Sequence, residues 1–70
     1  MVDSERLSAR FEELGLKKKI VAEQIGLTYQ GYWNKEQNLQ PFTLPEAEQL
    51  SKILRFNRKE FFEIFFKKNK

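Results

Sequence analysis

The sequence predicts an all-α fold, a compact bundle of about five short helices that forms a single domain of 70 residues. Apolar residues recur at the three- and four-residue spacing of a helix surface, and helix-capping residues precede several of these segments. There is no internal repeat and no low-complexity linker that would separate a second domain. A chain of this length is near the lower size at which a hydrophobic core alone holds a fold.

The composition argues against catalysis. The chain has no cysteine and no histidine, so it has no disulfide, no thiolate ligand and no imidazole base. Acid–base or metal chemistry would have to rest on carboxylates and lysines, and nothing in the sequence pairs the glutamates in a pocket. We therefore expect neither an enzyme nor a bound cofactor or metal.

The apolar runs and the N-terminal residues lead us to expect a soluble cytoplasmic protein. No apolar run approaches the roughly 20 residues that a membrane span requires. Residues 1–5 are acidic and polar and do not resemble a signal peptide. The formal net charge of +3 permits nucleic-acid binding without demanding it.

The first helix is predicted over about residues 4–14. Asp3 or Ser4 can cap its start, and Gly15 is a suitable C-terminal stop. Its core-facing stripe, at i, i+4 and i+7, consists of Leu7, Phe11 and Leu14.

Residues 18–37 have the pattern of a helix-turn-helix, and the rest of the chain is organised around them. A helix over about 17–25 and another over 28–37 flank Gly26, where a sharp turn favours a residue that can adopt positive φ. Thr28 can cap the second of these helices. One side of the first of them carries Val21, Ala22 and Ile25. A helix-turn-helix lays its second helix in the DNA major groove, so the pattern predicts a small DNA-binding regulator.

Three consecutive lysines begin this motif. Lys17, Lys18 and Lys19 place positive charge at a helix N-terminus, which the helix dipole disfavours. DNA phosphate would compensate this cost; a solvated lysine run is the alternative. We expect Leu16 to enter the core just ahead of the helix and Ile20 to remain exposed.

The outward face of the second helix of the motif is unusual. We expect Leu27 and Tyr32 to anchor that helix in the core, and Gly31 to permit close approach to DNA or to the preceding helix. The outward positions are Tyr29, Gln30, Trp33, Asn34 and Gln37. Exposed aromatic side chains indicate a contact surface, and amides can read adenine while aromatic rings contact thymine methyls. In the alternative interpretation Trp33 folds back onto the core.

Two further helices complete the bundle. After a loop over residues 38–42, Thr43 and Glu46 have capping-box spacing, and a fourth helix begins there. Its expected buried side consists of Ala47, Leu50, Ile53 and Leu54.

The last helix, capped by Asn57, carries more large apolar residues than one face of a short helix can bury. We therefore expect a dimer or partner interface formed by Phe61, Phe62, Phe65 and Phe66. A basic tail over residues 67–70 follows.

Residues 15–28, GLKKKIVAEQIGLT, also resemble the lambda-repressor-like, Cro-type helix-turn-helix domains of phage and bacterial regulators. Those domains show a Gly-Leu entry, here Gly15-Leu16, an alanine in the second helix, here Ala22, and a glycine four residues later, here Gly26. Residues 38–43 and the Phe65-Phe66 pair are similar to small Cro-like phage proteins. The resemblance extends from about Leu7 to Phe66.

The resemblance implies a sequence-specific transcriptional regulator that occludes a promoter, as in a phage lysis–lysogeny switch, and acts in the bacterial cytoplasm or nucleoid. Double-stranded operator DNA is the implied partner, bound by a two-fold dimer. The implied base-reading residues are Thr28, Tyr29, Gln30, Trp33 and Asn34. The implied backbone contacts are Lys17, Lys18, Lys19, Gln37 and Asn38.

An interaction protein is the second hypothesis. Lys17 replaces the usual Ser/Thr cap of the family, Lys35 replaces a usually apolar residue, and Trp33 replaces a small polar one. Together with the surplus phenylalanines, these departures fit an antirepressor or modulator that keeps the fold and binds a repressor protein. The expected assembly is therefore either a homodimer on DNA or a heteromer with a repressor.

Overall fold

Within residues 1–68, which the computed structural model describes, the chain forms five α-helices and no strand. The helices are α1 (Ser4–Leu14), α2 (Lys18–Gln24), α3 (Tyr29–Glu36), α4 (Leu44–Ile53) and α5 (Arg58–Phe65). The Cα radius of gyration is 10.9 Å, close to the roughly 11 Å of a compact domain of this length. The all-α prediction is confirmed for this range; positions 69 and 70 of the predicted basic tail lie outside it. None of the described helices is long and apolar enough to cross a membrane.

The helix starts follow the capping residues in the sequence. Asp3 and Thr28 each accept a hydrogen bond from a backbone N–H in the first turn of α1 and α3. Thr43 and Asn57 begin α4 and α5 with complete capping boxes. In the described part of the chain, only α2 starts without a side-chain cap, because Lys17 has no acceptor to offer.

The predicted glycine turns are confirmed. Gly15 ends α1 at φ 66°, and Gly26 turns the chain after α2 at φ 81°. Two further left-handed residues, Asn38 and Arg55, are not glycines, and such a conformation costs an L-residue about 1–2 kcal/mol. At Arg55 the strained turn directs carbonyl oxygens toward α1, where the Arg10 guanidinium donates to the carbonyl of Arg55 at 3.3 Å.

Edge-to-face aromatic contacts connect the helices through the core. Phe11 of α1 packs on Tyr32 of α3 at 5.8 Å between ring centroids, and Tyr32 packs on Phe42 at 5.9 Å. Phe42 in turn packs on Phe65 of α5 at 5.6 Å. Around them lie the buried aliphatic residues Val2, Leu7, Val21, Ala22, Ile25, Ala47, Leu50, Leu54 and Ile64. The helices therefore share one core cluster.

Some predicted core positions are wrong or only partly buried. Leu16, expected in the core, is 37 % exposed, because it lies in the short connection after the left-handed Gly15 and does not reach inward. Leu14, Leu27 and Ile53 are half-buried and pack at the edge of the core. Tyr32 is fully buried, as predicted.

The N-terminal segment is part of the folded domain, which the sequence analysis did not predict. Val2 is 6 % exposed. Its backbone N–H donates to Asn38 Oδ1 at 2.7 Å, and Asn38 Nδ2 donates to the Val2 carbonyl at 3.0 Å. The Asp3 N–H donates to the Ile64 carbonyl at 2.7 Å. The segment thus joins the loop after α3 to α5.

Candidate functional site

The candidate site is built on α2, α3 and the turn between them. The turn is closed by hydrogen bonds from Gly26 N–H to the Glu23 carbonyl, at 3.1 Å, and from Leu27 N–H to the Ala22 carbonyl, at 2.9 Å. Ala22 is fully buried, which is consistent with its predicted place on the inner side of α2. With Tyr32 also buried, the opposite side of α3 faces solvent.

The outer face of α3, meaning Tyr29, Gln30, Trp33 and Asn34, carries two aromatic and two amide side chains. Tyr29 is 46 % exposed and Trp33 is 39 % exposed. Trp33 therefore does not fold into the core, and the outward orientation predicted for both rings is confirmed. A large exposed aromatic pair next to polar groups is a surface suited to a partner.

The two amides of this face are hydrogen-bonded to each other. Gln30 Nε2 donates to Asn34 Oδ1 at 2.9 Å, one helical turn along α3. The fifth predicted base-reading residue, Thr28, is exposed, but its hydroxyl oxygen already accepts from Gly31 N–H at 3.0 Å as the cap of α3. The Thr28 hydroxyl thus acts as the N-cap of α3.

Gly31 makes room for the N-cap of α3. Of the two reasons expected for this glycine, a close approach of α2 is not the one that applies. A Cβ placed on Gly31 would lie 3.1 Å from Thr28 Oγ1 and would meet no atom of α2 within 4 Å. The glycine leaves room for the capping hydroxyl above the first turn.

A buried carboxylate that was not predicted from the sequence holds α3 from inside. Glu36 is 1 % exposed. It accepts a hydrogen bond from Tyr32 Oη at 3.0 Å and another from Gln37 Nε2 at 3.2 Å. Lys18 Nζ of α2 lies 2.9 Å from Glu36 Oε2, the oxygen that Gln37 also contacts, and Ser8 Oγ of α1 lies 3.5 Å from Oε1, the oxygen that accepts from Tyr32. The only available signal was an i, i+4 Tyr–Glu spacing, which does not distinguish a buried pair from an exposed one.

This network gives Lys18 a structural role. Its ammonium donates to Glu36 Oε2 at 2.9 Å and to Ser8 Oγ at 2.8 Å, so two of its three N–H donors are used inside the fold, and its contact with phosphate stays a prediction. The physical reason is that a buried carboxylate requires a compensating cation, and Lys18 is the one within reach. Lys17 and Lys19 are exposed, and within residues 1–68 neither forms an ion pair, so these two of the three predicted lysine contacts have no partner inside the fold.

Burial raises the pKa of the Tyr32 phenol far above its ordinary value, and the neighbouring Glu36 carboxylate raises it further. Tyr32 therefore stays protonated and donates its hydrogen bond to Glu36 throughout the physiological range. The contact is a permanent part of the support behind α3.

Asn38 also has a structural role. Both ends of its side-chain amide bond the Val2 backbone, as described above, which leaves one side-chain N–H unused, and its contact with phosphate stays a prediction. Ser4 Oγ also donates to the Glu36 carbonyl. The C-terminal end of α3 is thus fixed by the N-terminal segment. Gln37 remains exposed.

Lys35 connects α3 to α4, at a position where the family pattern has an apolar residue. Its ammonium pairs with Glu46, whose carboxylate also accepts from Thr43 N–H at 2.9 Å in the capping box. Burial on its own would raise the pKa of Glu46, but the hydrogen bonds from Lys35 and Thr43 outweigh it and hold that pKa below its ordinary value.

A second surface lies on the C-terminal helices. The α4–α5 apolar face consists of Leu44, Phe62 and Phe66, which are 56 %, 54 % and 53 % exposed. Two grooves of about 410 and 590 Å³ meet at Leu44 and Phe66. Leu44 was not among the residues predicted for this surface.

Two of the four residues predicted for an interface on α5 pack in or against the core. Phe65 is 6 % exposed and belongs to the core, where it packs on Phe42 and Phe56. Phe61 is half-buried against the core. Only Phe62 and Phe66 lie open to solvent, one turn apart.

No protein-family model matches the chain, and no curated protein or solved structure is significantly similar to it.

Proposed function

We propose that this protein is a sequence-specific DNA-binding transcriptional regulator of the lambda-repressor-like class, in which α2, the turn and α3 form a helix-turn-helix. The observation that carries the proposal is the two-sided character of α3. Tyr32 and Glu36 are buried to 1 % exposure or less, while Tyr29, Gln30 and Trp33 face solvent. α3 is thus held by buried residues on one side, and its solvent-facing side carries side chains that can contact bases.

The exposed groups suit the major groove, which admits an α-helix and presents hydrogen-bonding base edges. Gln30 and Asn34 supply amide donors and acceptors, and the two aromatic rings supply apolar area for thymine methyls and sugars. Lys17 and Lys19, before and within the first turn of α2, and the exposed Gln37 after α3, would position the phosphate backbone. Binding that occludes a promoter would produce repression.

The test is selection of binding sites from a random duplex pool, followed by fluorescence anisotropy on the selected duplex at salt concentrations between about 50 and 200 mM. We expect a specific complex that weakens steeply with salt, and Lys17→Ala and Lys19→Ala each to reduce the slope of log affinity against log salt by about 1. Lys59→Ala, at an exposed lysine of α5, is the matched control. Failure to enrich any site, or binding insensitive to salt, would refute the proposal.

The partner on the α4–α5 apolar face is proposed to be a second copy of the chain. The groove beside Phe62 is bordered by Glu48, Lys52 and Arg58. This mixture of charges is self-complementary, since a two-fold axis can place Glu48 of one copy against a cation of the other. The protruding phenylalanines and the two adjoining grooves give each copy both a knob and a recess.

Sedimentation velocity tests this dimer. We expect Phe62→Lys to shift the protein to monomer without loss of helicity, and Leu39→Lys, at an apolar residue that is 65 % exposed outside this face, to leave the dimer intact. A wild-type protein that is monomeric at tens of micromolar, or a Phe62→Lys variant that still dimerises, would exclude this partner.

A modulator that binds a repressor protein is the second candidate function. It is favoured by the exposure of Ile20, at 53 %, in addition to Tyr29 and Trp33, which gives the α2–α3 side more apolar surface than phosphate and base contacts require. In that case Trp33→Ala abolishes a heterocomplex with the repressor seen by size exclusion. If Trp33→Ala destroys DNA binding and leaves the heterocomplex unchanged, the modulator hypothesis fails.

A further inference from the structure

We infer that Arg10 is a positioning residue, which fixes the direction of α5 against α1 and so sets the half-site spacing that a dimer of this protein accepts. The inference rests on the proposed function and on the dimer through the α4–α5 apolar face. It assigns a part in DNA recognition to a side chain of α1, outside the helix-turn-helix.

The Arg10 guanidinium joins α1 to the end of α4 and to the start of α5. Nη1 donates to the carbonyls of Leu54 at 3.1 Å and Arg55 at 3.3 Å, where α4 ends. Nη2 lies 2.6 Å from Glu60 Oε2 in the first turn of α5. The guanidinium carbon lies 4.8 Å from the centroid of the Phe56 ring. Because the guanidinium is planar and rigid, its N–H groups hold these partners in one arrangement.

The corner between α4 and α5 depends on these contacts. Only a short turn separates the C-cap residue Leu54 from the N-cap residue Asn57, and within it Arg55 adopts φ 58°. The last carbonyls of a helix have no partner within that helix, and Arg10 supplies donors to them. Glu60 also completes the cap of α5, since its Oε1 accepts from the Asn57 N–H at 3.0 Å. The start of α5 is thus fixed by a side chain of α1.

The opposite side of α1 holds α3. Ser4 Oγ donates to the Glu36 carbonyl. Ser8 Oγ accepts from Lys18 Nζ at 2.8 Å, in the network around the Glu36 carboxylate. The position of the α4–α5 apolar face relative to the outer face of α3 therefore depends on α1, through its serines on one side and Arg10 on the other.

A two-fold dimer doubles any change in this relation. The copies would meet through α5, so a rotation of α5 against α1 displaces the α3 helices of both copies. Those two helices must reach half-sites that lie about 34 Å apart, one turn of the double helix. A side chain that fixes the direction of α5 thus restricts the accepted spacing without reading any base.

Two substitutions loosen the contact to different degrees. Arg10→Met removes the donors to both carbonyls and the ion pair. Glu60→Gln is milder, because a glutamine still accepts from the Asn57 N–H in the capping box but offers no charge to Arg10. Arg6→Met is the matched control. Arg6 also joins α1 to α5, but by a single ion pair with Glu63, in which the two side chains are 45 % and 42 % exposed.

The measurement uses duplexes with two copies of the selected half-site at separations that increase by one base pair. Anisotropy gives the affinity at each separation, and the spacing preference is the ratio of the best affinity to those at neighbouring separations. We expect Arg10→Met and Glu60→Gln to lower this ratio by about 2- to 30-fold and to leave the base preferences within one half-site unchanged. A mere loss of stability weakens binding at every separation alike and does not change the ratio.

The control and the fold are measured in parallel. Arg6→Met should keep the wild-type ratio, and thermal melting by circular dichroism verifies that each variant is folded at the assay temperature. If Arg10→Met is unfolded there, Glu60→Gln decides the question alone, since it keeps the cap of α5.

The outcomes separate this inference from the proposed function. If the wild-type dimer binds a specific site but the spacing ratio is the same in the folded variants, the inference is overturned while DNA binding stands. It is also overturned if Arg6→Met lowers the ratio as much, or if the wild-type protein accepts all spacings equally. If no specific site is enriched at all, the inference and the proposed function both fall.

Discussion

The outer face of α3 and the α4–α5 apolar face expose similar amounts of aromatic surface, yet their chemistry differs. Tyr29 and Trp33 on α3 are 46 % and 39 % exposed, and Phe62 and Phe66 are 54 % and 53 % exposed. On α3 the rings alternate with amides. On α4 and α5 they border two grooves, one lined mainly by apolar side chains and one that also has Glu48, Lys52 and Arg58 in its lining. Exposure makes both faces candidates for a contact surface, and the neighbouring groups distinguish the kinds of partner proposed for them.

The two faces also differ in what supports them from inside. Behind α3 lies the Glu36 carboxylate with its cation Lys18 and its phenol donor Tyr32. Behind the α4–α5 apolar face the packing is aromatic. The Phe65 ring lies between Phe42, at 5.6 Å between ring centroids, and Phe56, at 6.2 Å. A buried charge network permits few arrangements of its members, whereas apolar packing tolerates small shifts. The polar support therefore suits a helix that must present side chains in a fixed orientation.

The largest expected effect is a difference in the free energy of unfolding between substitutions of two adjacent phenylalanines, Phe65 and Phe66. Phe65→Ala should lower the free energy of unfolding by about 3–5 kcal/mol, because it leaves a cavity in the core. Phe66→Ala should change it by less than about 1 kcal/mol, since that side chain is half exposed. Urea unfolding at a protein concentration where both variants are monomeric measures the difference. Equal losses would contradict the division of α5 into core and surface residues.

The next effect is expected at Lys18. Lys18→Met leaves the Glu36 carboxylate buried without its cation, and we expect a loss of about 3 kcal/mol in the free energy of unfolding. Lys19→Met, one residue away and exposed, should stay within about 0.5 kcal/mol of wild type. Urea unfolding of both variants provides the comparison. If both lysines behaved as surface residues, the polar support behind α3 would be disproved.

The smallest effect concerns Glu46, which joins the two regions through Lys35. Its pKa is lower in the folded protein than its ordinary value of 4.5, so its contribution to stability is present above pH 4.5 and is lost as the pH falls through the folded value. Glu46→Gln should cost about 1 kcal/mol at pH 7, and the difference from wild type should shrink below pH 4.5. Thermal melting from pH 7 to pH 3 measures it. A difference that stays constant with pH would contradict the role of the ionised carboxylate.

Features controlled by nearby residues were predictable. The caps at Asp3, Thr28, Thr43 and Asn57 act on N–H groups three residues away, so their partners are visible in the sequence. The exposure of Ile20 and the outward orientation of Trp33 followed from helical spacing. The same spacing could not separate Phe65 from Phe66, because a helix so rich in apolar residues has no clear polar side.

Features controlled by distant residues were not predictable. Lys18 meets Glu36 across 18 residues of sequence, and Val2 meets Asn38 across 36. In each case a side chain expected to contact phosphate is used inside the fold. A short polar pattern gives the chemistry of a group but not its neighbours, and only neighbours decide whether that chemistry is available to a ligand.

The sequence by itself determined where the helices begin and turn and which residues α3 presents, because capping, glycine conformations and helical periodicity act over a few residues. The tertiary structure alone decided that Glu36 is buried, that Lys18 and Asn38 are occupied, and that Leu44 joins Phe62 and Phe66 in one surface. Those outcomes depend on how helices pack, and packing brings together residues whose separation in the sequence carries no signal.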